Sequence, residues 1–237
     1  MLQSRQVSLT LLLETMVAAY YSPIYRLALT FLNDHRAARQ TVREIFLKAV
    51  MGLHHYRSEV GVDIWLHSIA WRVIQRVRRR EHFWGGLEKT FNMTGELTER
   101  FESIPPTAGD LGIWQSVDEL GKTDRSLILL HYGNYWSFNR VSKVTGIAES
   151  QVAKNITRSL DKITQKNTLR QEEIGGILSD SLQARWPPPE INEDELRSFI
   201  QQIERRAGSR HGLRSSWATA KELAIIGLAI ILVALLI

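Results

Sequence analysis

The 237-residue chain has no cysteine, only six prolines and no sustained polar–apolar alternation of the kind that predicts β-strands. Without thiols it forms neither disulfides nor thiolate metal sites, which excludes a disulfide-stapled secreted domain. No signal peptide opens the chain, because its first apolar stretch, Leu9–Leu13, is short and is followed by Glu14. We therefore expect an all-α protein whose bulk remains in the cytoplasm.

The common motifs of catalysis and metal binding are also missing. There is no glycine-rich loop ending in lysine and serine or threonine, and no pair of histidines four residues apart on one helix face. His54 and His55 are adjacent and cannot share a helix face, while His67 and His131 stand alone. These absences predict a protein that is not an enzyme and that needs no cofactor or metal.

Hydrophobic residues make up 44% of the chain and charged residues 23%, a balance typical of globular proteins. It fits neither a disordered chain nor a multi-span membrane protein. The formal net charge is +5. A basic chain favours a polyanionic partner, either nucleic acid or an anionic membrane surface.

Composition divides the chain into segments. Two are rich in helix formers with apolar residues at helical spacing, and the glycines and prolines of "WGG" and "IPPTAGDLG" predict a flexible linker between them. The prolines of "WPPPEINEDEL" predict an extended spacer further on. We expect two small helical domains with these boundaries: first domain 9–82, linker 83–112, second domain 113–168, extension 169–221 and C-terminal hydrophobic helix 222–237.

The segment "VDIWLHSIAWRVIQRVRRREHF" of the first domain predicts an amphipathic helix. Its polar side and its end carry Arg72, Gln75, Arg76, Arg79 and Arg80. Because arginine presents a planar fork of donors that fits phosphate, this face is a candidate for following a nucleic-acid backbone. The alternative is a solvated face that complements the negative C-terminal end of the helix dipole.

Just before this helix, "HHYRSEVGVDIW" places Tyr56 and Trp65 on either side of a turn predicted at Gly61. Aromatic rings beside arginines suit single-stranded nucleic acid, because bases stack on the rings while the cations hold phosphates. The alternative is that both rings belong to the core of the domain.

The segment "WSFNRVSKVTGIAESQVAKNITRSLDKI" of the second domain predicts a helix-turn-helix. Gly146 stands where the tight turn requires a positive φ, and Val152, Ile156, Leu160 and Ile163 form an apolar stripe on the second helix. We expect its opposite face to read the major groove through Ser150, Gln151, Lys154, Asn155, Arg158 and Lys162. The alternative is an ordinary helical hairpin with a polar surface.

Three blocks in sequence carry a resemblance to a known family: "YYSPIYRLALTFLNDHRAARQTVREIFLKAV", "YRSEVGVDIWLHSIAWRVIQRVRRR" and "LGKTDRSLILLHYGNYWSFNRVSKVTGIAESQVAKNITRSLDKI". Between Tyr20 and Lys166 the chain resembles the extracytoplasmic-function group of bacterial RNA polymerase sigma factors. The blocks are similar to region 2 and region 4 of that family.

The resemblance implies a sigma factor that directs core RNA polymerase to promoter DNA. The first domain would bind the polymerase clamp and open the minus-ten element, with the arginine-rich face along the DNA and the loop from Tyr56 to Trp65 receiving an unstacked base. The second domain would read the minus-thirty-five element. Polymerase contacts are expected at Arg39, Arg43, Glu44 and Phe46.

One helix departs from the family pattern. The family is usually acidic after the "LND" turn, whereas Arg36, Arg39 and Arg43 stand here and only Glu44 is acidic. The resemblance therefore indicates a divergent and conditionally active sigma factor, with an anti-sigma regulator as a further candidate partner. Two alternatives stay open: a membrane-anchored helix-turn-helix regulator that works without polymerase, and a sigma-like decoy without initiation activity.

The extension predicts two more features. "INEDELRSFIQQIERR" forms an amphipathic helix that docks on the sigma domains as a latch, pairs with a partner helix or simply lies at the surface. Leu223–Ile237 is 15 residues without a charge, or about 22 Å of helix against a bilayer core of about 30 Å. Basic residues precede it, so we expect a membrane anchor that leaves residues 1–221 in the cytoplasm until proteolysis or a partner releases them.

Overall fold

The computed structural model describes residues 2–91, 111–167, 169–185 and 193–209. Every regular element in these ranges is helical, which confirms the all-α prediction for the described part of the chain. The helices fall into two compact units. The first unit contains α1 (Leu2–Leu32), α2 (His35–Gly52), α3 (Val62–Phe91) and α9 (Glu193–Ser209). The second contains α4 (Leu111–Asp118), α5 (Lys122–Asn134), α6 (Phe138–Thr145), α7 (Glu149–Asn167) and α8 (Gln171–Arg185).

The sharp reversal between α1 and α2 is made by two residues. Asn33 adopts a left-handed φ of 53°, which its short polar side chain tolerates better than most. Asp34 then caps α2, because its carboxylate accepts a hydrogen bond of 2.6 Å from the backbone nitrogen of Ala37. The turn places α2 back against α1, and α3 packs on both helices.

The core of the first unit is built from one face of each helix. Fully buried side chains include Met16, Ile24, Leu27, Ile45, Phe46, Leu66 and Ile74. Burying aliphatic and aromatic side chains of this size, at about 1.5–3 kcal/mol each, is the main favourable contribution to folding. The opposite faces of α2 and α3 are polar and carry charged side chains, among them the ion pair between Glu44 and Arg76.

The second unit packs α6, α7 and α8 around α5. Its buried residues include Ile128, Leu130, Val141, Val152, Ile156, Ile163, Ile174 and Leu178. Gly175 lets α8 approach α5 closely, since a Cβ atom there would lie 2.9 Å from Cε1 of Tyr132. The helix-turn-helix is therefore supported from behind by α8, a helix that the sequence reading left unassigned.

Several predicted boundaries need correction. The segment expected to be a linker from residue 83 is helical as far as Phe91, because no proline follows until Pro105 and a glycine pair lowers helix propensity without blocking hydrogen bonds. The expected extension 169–221 is divided, with α8 in the second unit and α9 in the first.

The predicted C-terminal hydrophobic helix, 222–237, lies outside the described residues. Within the ranges that are described, no helix combines the length and apolar character needed to cross a bilayer.

Candidate nucleic-acid interface

The predicted basic face of the first unit lies on α3. Arg72 and Arg79 are exposed, Gln75 and Arg76 are half-buried, and the side chain of Arg80 is outside those described. The exposed arginines recur at helical spacing because the residues between them, such as Val73 and Ile74, point into the core. The face therefore presents guanidinium groups along one side of the helix.

Arg76 is held by an ion pair with α2. Its Nη1 donates a 2.6 Å hydrogen bond to Oε1 of Glu44, and the same carboxylate oxygen lies 3.8 Å from Nζ of Lys48. Glu44 is thus shared between two cations. Arg76 was predicted to contact DNA and Glu44 to contact polymerase, and the fold brings these two residues together.

The aromatic loop packs as a pair. The rings of Tyr56 and Trp65 meet edge to face, with centroids 5.1 Å apart, and both side chains are half-buried. Gly61 closes the turn between them at φ 73°, as the sequence predicted. Burial and the nearby Glu59 carboxylate raise the pKa of Tyr56. The pair is therefore neither fully buried in the core nor fully exposed.

The four predicted polymerase contacts on α2 differ in exposure. Arg39 is exposed, and Arg43 and Glu44 are half-buried. Phe46 corrects the expectation, because it is fully buried and its ring packs against that of Phe199 on α9 at 5.7 Å between centroids. Phe46 points into the groove between α1 and α2, which α9 fills.

The segment predicted to be a helix-turn-helix forms two helices, α6 and α7, joined by a turn. Ser137 caps α6 by accepting a 3.2 Å hydrogen bond from the backbone nitrogen of Arg140, and Gly146 makes the turn at φ 79°. The carbonyl oxygen of Ala148 accepts the first bonds of α7, so this residue starts the helix without a capping side chain. Asn139 compensates by donating a 2.8 Å bond to Glu149, which ties the starts of α6 and α7 together.

The outer face of α7 exposes Ser150, Gln151, Lys154, Arg158 and Lys162. Asn155 was expected there, but only 7% of it is exposed. Its Oδ1 accepts a 2.6 Å bond from Nε2 of Gln151. The buried side of α7 is wider than a single stripe because α4, α5, α6 and α8 all pack on this helix, and position 155 falls within the wider face.

Arg158 is oriented by a carboxylate that the sequence reading missed. Its Nη2 donates to Oδ1 and Oδ2 of Asp124 at 3.2 and 3.1 Å, and lies 3.4 Å from Oδ1 of Asn155. The Asp124 side chain is 13% exposed, whereas that of Arg158 is 51% exposed. Asp124 therefore positions a guanidinium group that stays accessible.

Part of the first unit is similar to a known family. Residues 16–83, which include most of α1–α3, match the family model described as sigma-70 region 2. The chain matches no curated protein. The match is to region 2 of the sigma-70 family and covers 68 of the 237 residues, all within the first unit.

Proposed function

We propose that the protein is a divergent sigma factor of the extracytoplasmic-function group that directs RNA polymerase to promoters. The observation that carries the proposal is the region 2 match over residues 16–83, on the helices that expose arginines beside an aromatic pair. A region 2 domain that follows DNA needs cations for phosphate and rings for unstacked bases, and this unit supplies both.

In the first unit, Arg72 and Arg79 contact phosphates of minus-ten DNA, and the half-buried Gln75 and Arg76 lie beside them. Tyr56 and Trp65 stack with a base that leaves the duplex. The exposed arginines of α3 and the half-buried aromatic pair support this assignment.

In the second unit, α7 enters the major groove of the minus-thirty-five element. The turn geometry at Gly146 and the exposed row of Gln151, Lys154 and Arg158 support this role. Arg158 is the strongest candidate for a base contact, because Asp124 holds its guanidinium group in one orientation and arginine reads guanine through two parallel hydrogen bonds.

Core polymerase binds α2 through Arg39, Arg43 and Glu44 in this proposal. The arginines reverse the charge expected of the family, and Glu44 is already paired with Arg76. This arrangement favours a second candidate function: a sigma-like decoy that binds DNA or an anti-sigma regulator without starting transcription.

The membrane tether belongs to the same proposal. The uncharged run Leu223–Ile237 and the basic residues before it support a single anchor that keeps the helical units on the cytoplasmic side. Fractionation of cells that express the full chain tests the tether. Recovery in the membrane pellet, with release by detergent but not by high salt, is the expected result, and complete recovery in the soluble fraction contradicts it.

Transcription in vitro tests the sigma function. The full chain in mild detergent is added to core polymerase purified from its source organism. A library of genomic DNA fragments from the same organism serves as template. We expect new transcripts with defined start sites that disappear for Arg72→Ala/Arg79→Ala and persist for the control Arg170→Ala, an exposed arginine just before α8. Polymerase binding without transcripts supports the decoy, and DNA binding without polymerase binding supports a helix-turn-helix regulator.

A further inference from the structure

The helix α9 fills a groove on the first unit. It packs on α1 and α2, and Phe199 inserts between an aromatic ring from each. The Phe199 ring lies 5.3 Å from that of Tyr21 and 5.7 Å from that of Phe46, both at 87°. Ile200 and Ile203 are also buried. These contacts explain why Phe46, an aromatic residue on α2, is absent from the surface.

The groove belongs to a domain that is recognisable without α9. The region 2 match covers residues 16–83, including Tyr21 and Phe46, and contains no part of α9. The three helices α1, α2 and α3 also pack on one another. They therefore possess a core of their own, and α9 is an additional element laid over it.

The helix α9 contacts α1 and α2 through only one of its faces. Its buried side chains lie on one face, whereas Asp194, Arg197, Gln201 and Arg205 on its other faces are exposed. A helix of 17 residues held through one apolar face gains little beyond the entropy lost on ordering it. Such a helix undocks without unfolding the domain beneath it.

We propose that α9 is a latch that competes with core RNA polymerase for α2. The inference rests on the proposed function, in which Arg39, Arg43 and Glu44 of α2 meet the polymerase, and it adds Phe46 as a contact that becomes accessible only when α9 is released. With α9 docked, Phe46 is buried and its ring is in contact with that of Phe199. With α9 released, the aromatic floor of the groove opens next to those charges, and the polymerase contact is complete.

Two full-length variants test the latch. Phe199→Asp places a carboxylate between the rings of Tyr21 and Phe46, whereas the control Gln201→Asp adds the same charge on the exposed side of α9. Phe199→Ala is a milder second variant, expected to act in the same direction.

The first readout does not involve polymerase. Trypsin cleaves after Arg205 when α9 undocks and unfolds, so Phe199→Asp is expected to be cleaved at least about tenfold faster than the parent, and Gln201→Asp at the parent rate. Continued protection at Arg72 and Arg76 shows that the domain remains folded. Equal cleavage of Phe199→Asp and the control overturns the docking of α9 itself.

The second readout is the affinity of each full chain for core polymerase. If α9 is docked in nine of ten molecules, its release strengthens the apparent affinity about tenfold, because only the open fraction binds. We expect this gain for Phe199→Asp and none for Gln201→Asp. Faster cleavage with unchanged affinity overturns the competition and leaves the sigma function standing. Failure of every chain to bind polymerase overturns the proposed function, and the competition with it.

Discussion

Replacing Arg158 by alanine tests whether α7 reads bases. The substitution removes a guanidinium group whose side chain is 51% exposed and which two oxygens of Asp124 hold at 3.1 and 3.2 Å. The Asp124 carboxylate is only 13% exposed and loses this partner in the variant, so urea unfolding of the second unit is measured first and DNA binding is compared where both chains are folded. A change in DNA binding can then be assigned to the lost contact.

The expected magnitude follows from the geometry of the site. An arginine held in one orientation makes two parallel hydrogen bonds to a guanine edge, and such a contact discriminates by about 1–3 kcal/mol. At about 1.4 kcal/mol per tenfold, Arg158→Ala should weaken binding to the preferred duplex about 5- to 150-fold. Preference at one base position should also relax, since the contact is to a base rather than to phosphate.

The assay begins with selection of preferred duplexes from a random pool by the full chain with core polymerase. Fluorescence anisotropy of the labelled duplex then compares Arg158→Ala with the parent at one salt concentration. The matched control is Arg170→Ala, which also removes an exposed arginine from an ion pair of the second unit, with Glu173 at 2.9 Å. If the two variants share the same affinity and base preference, Arg158 does not contact a base.

Three further predictions concern the fold, and each is tested by measuring the free energy of unfolding in urea. Gly146→Ala meets no steric contact but forces a side chain to φ 79°, so the second unit should lose about 1–2 kcal/mol; no loss would mean that the turn differs in solution. Ile156→Ala empties a buried position and should lower stability by about 2–5 kcal/mol, and an unchanged value would argue against the packing of α7. Burial and the charge of Arg39 lower the pKa of His35 from 6.5, so its protonation favours the unfolded chain and stability should fall as the pH drops below about 6.5. His35→Gln should flatten that fall, and an equally steep curve for this variant would refute the assignment.

Local features of the second unit were predictable because neighbouring residues determine them. The turn at Gly146 and the apolar stripe of α7 follow from one glycine and a helical repeat. The burial of Asn155 did not follow, because a single sequence does not show how many helices pack on α7. The pairing of Arg158 with Asp124 joins residues 34 positions apart, and no local pattern predicts it.

In the first unit, too, features set by neighbouring residues were predictable, whereas contacts between distant residues were not. The spacing of apolar residues predicted the buried side of α3, and its exposed arginines lie on the opposite side. Amphipathicity also predicted that α9 has one apolar face, but it could not select the groove where that face docks. The partners of Phe199 come from α1 and α2, far away in the sequence, and their identity depends on tertiary packing.

The ion pair between Glu44 and Arg76 joins two residues that the proposed function assigns to different partners. A protein surface that draws the Glu44 carboxylate toward itself leaves the Arg76 guanidinium group free for a phosphate. If a protein bound at Glu44 strengthens phosphate binding at Arg76 by some factor, then phosphate bound at Arg76 strengthens protein binding at Glu44 by the same factor, because the two equilibria are linked. Through this one ion pair, the affinity of α2 for a protein at Glu44 and the affinity of α3 for a phosphate at Arg76 depend on each other.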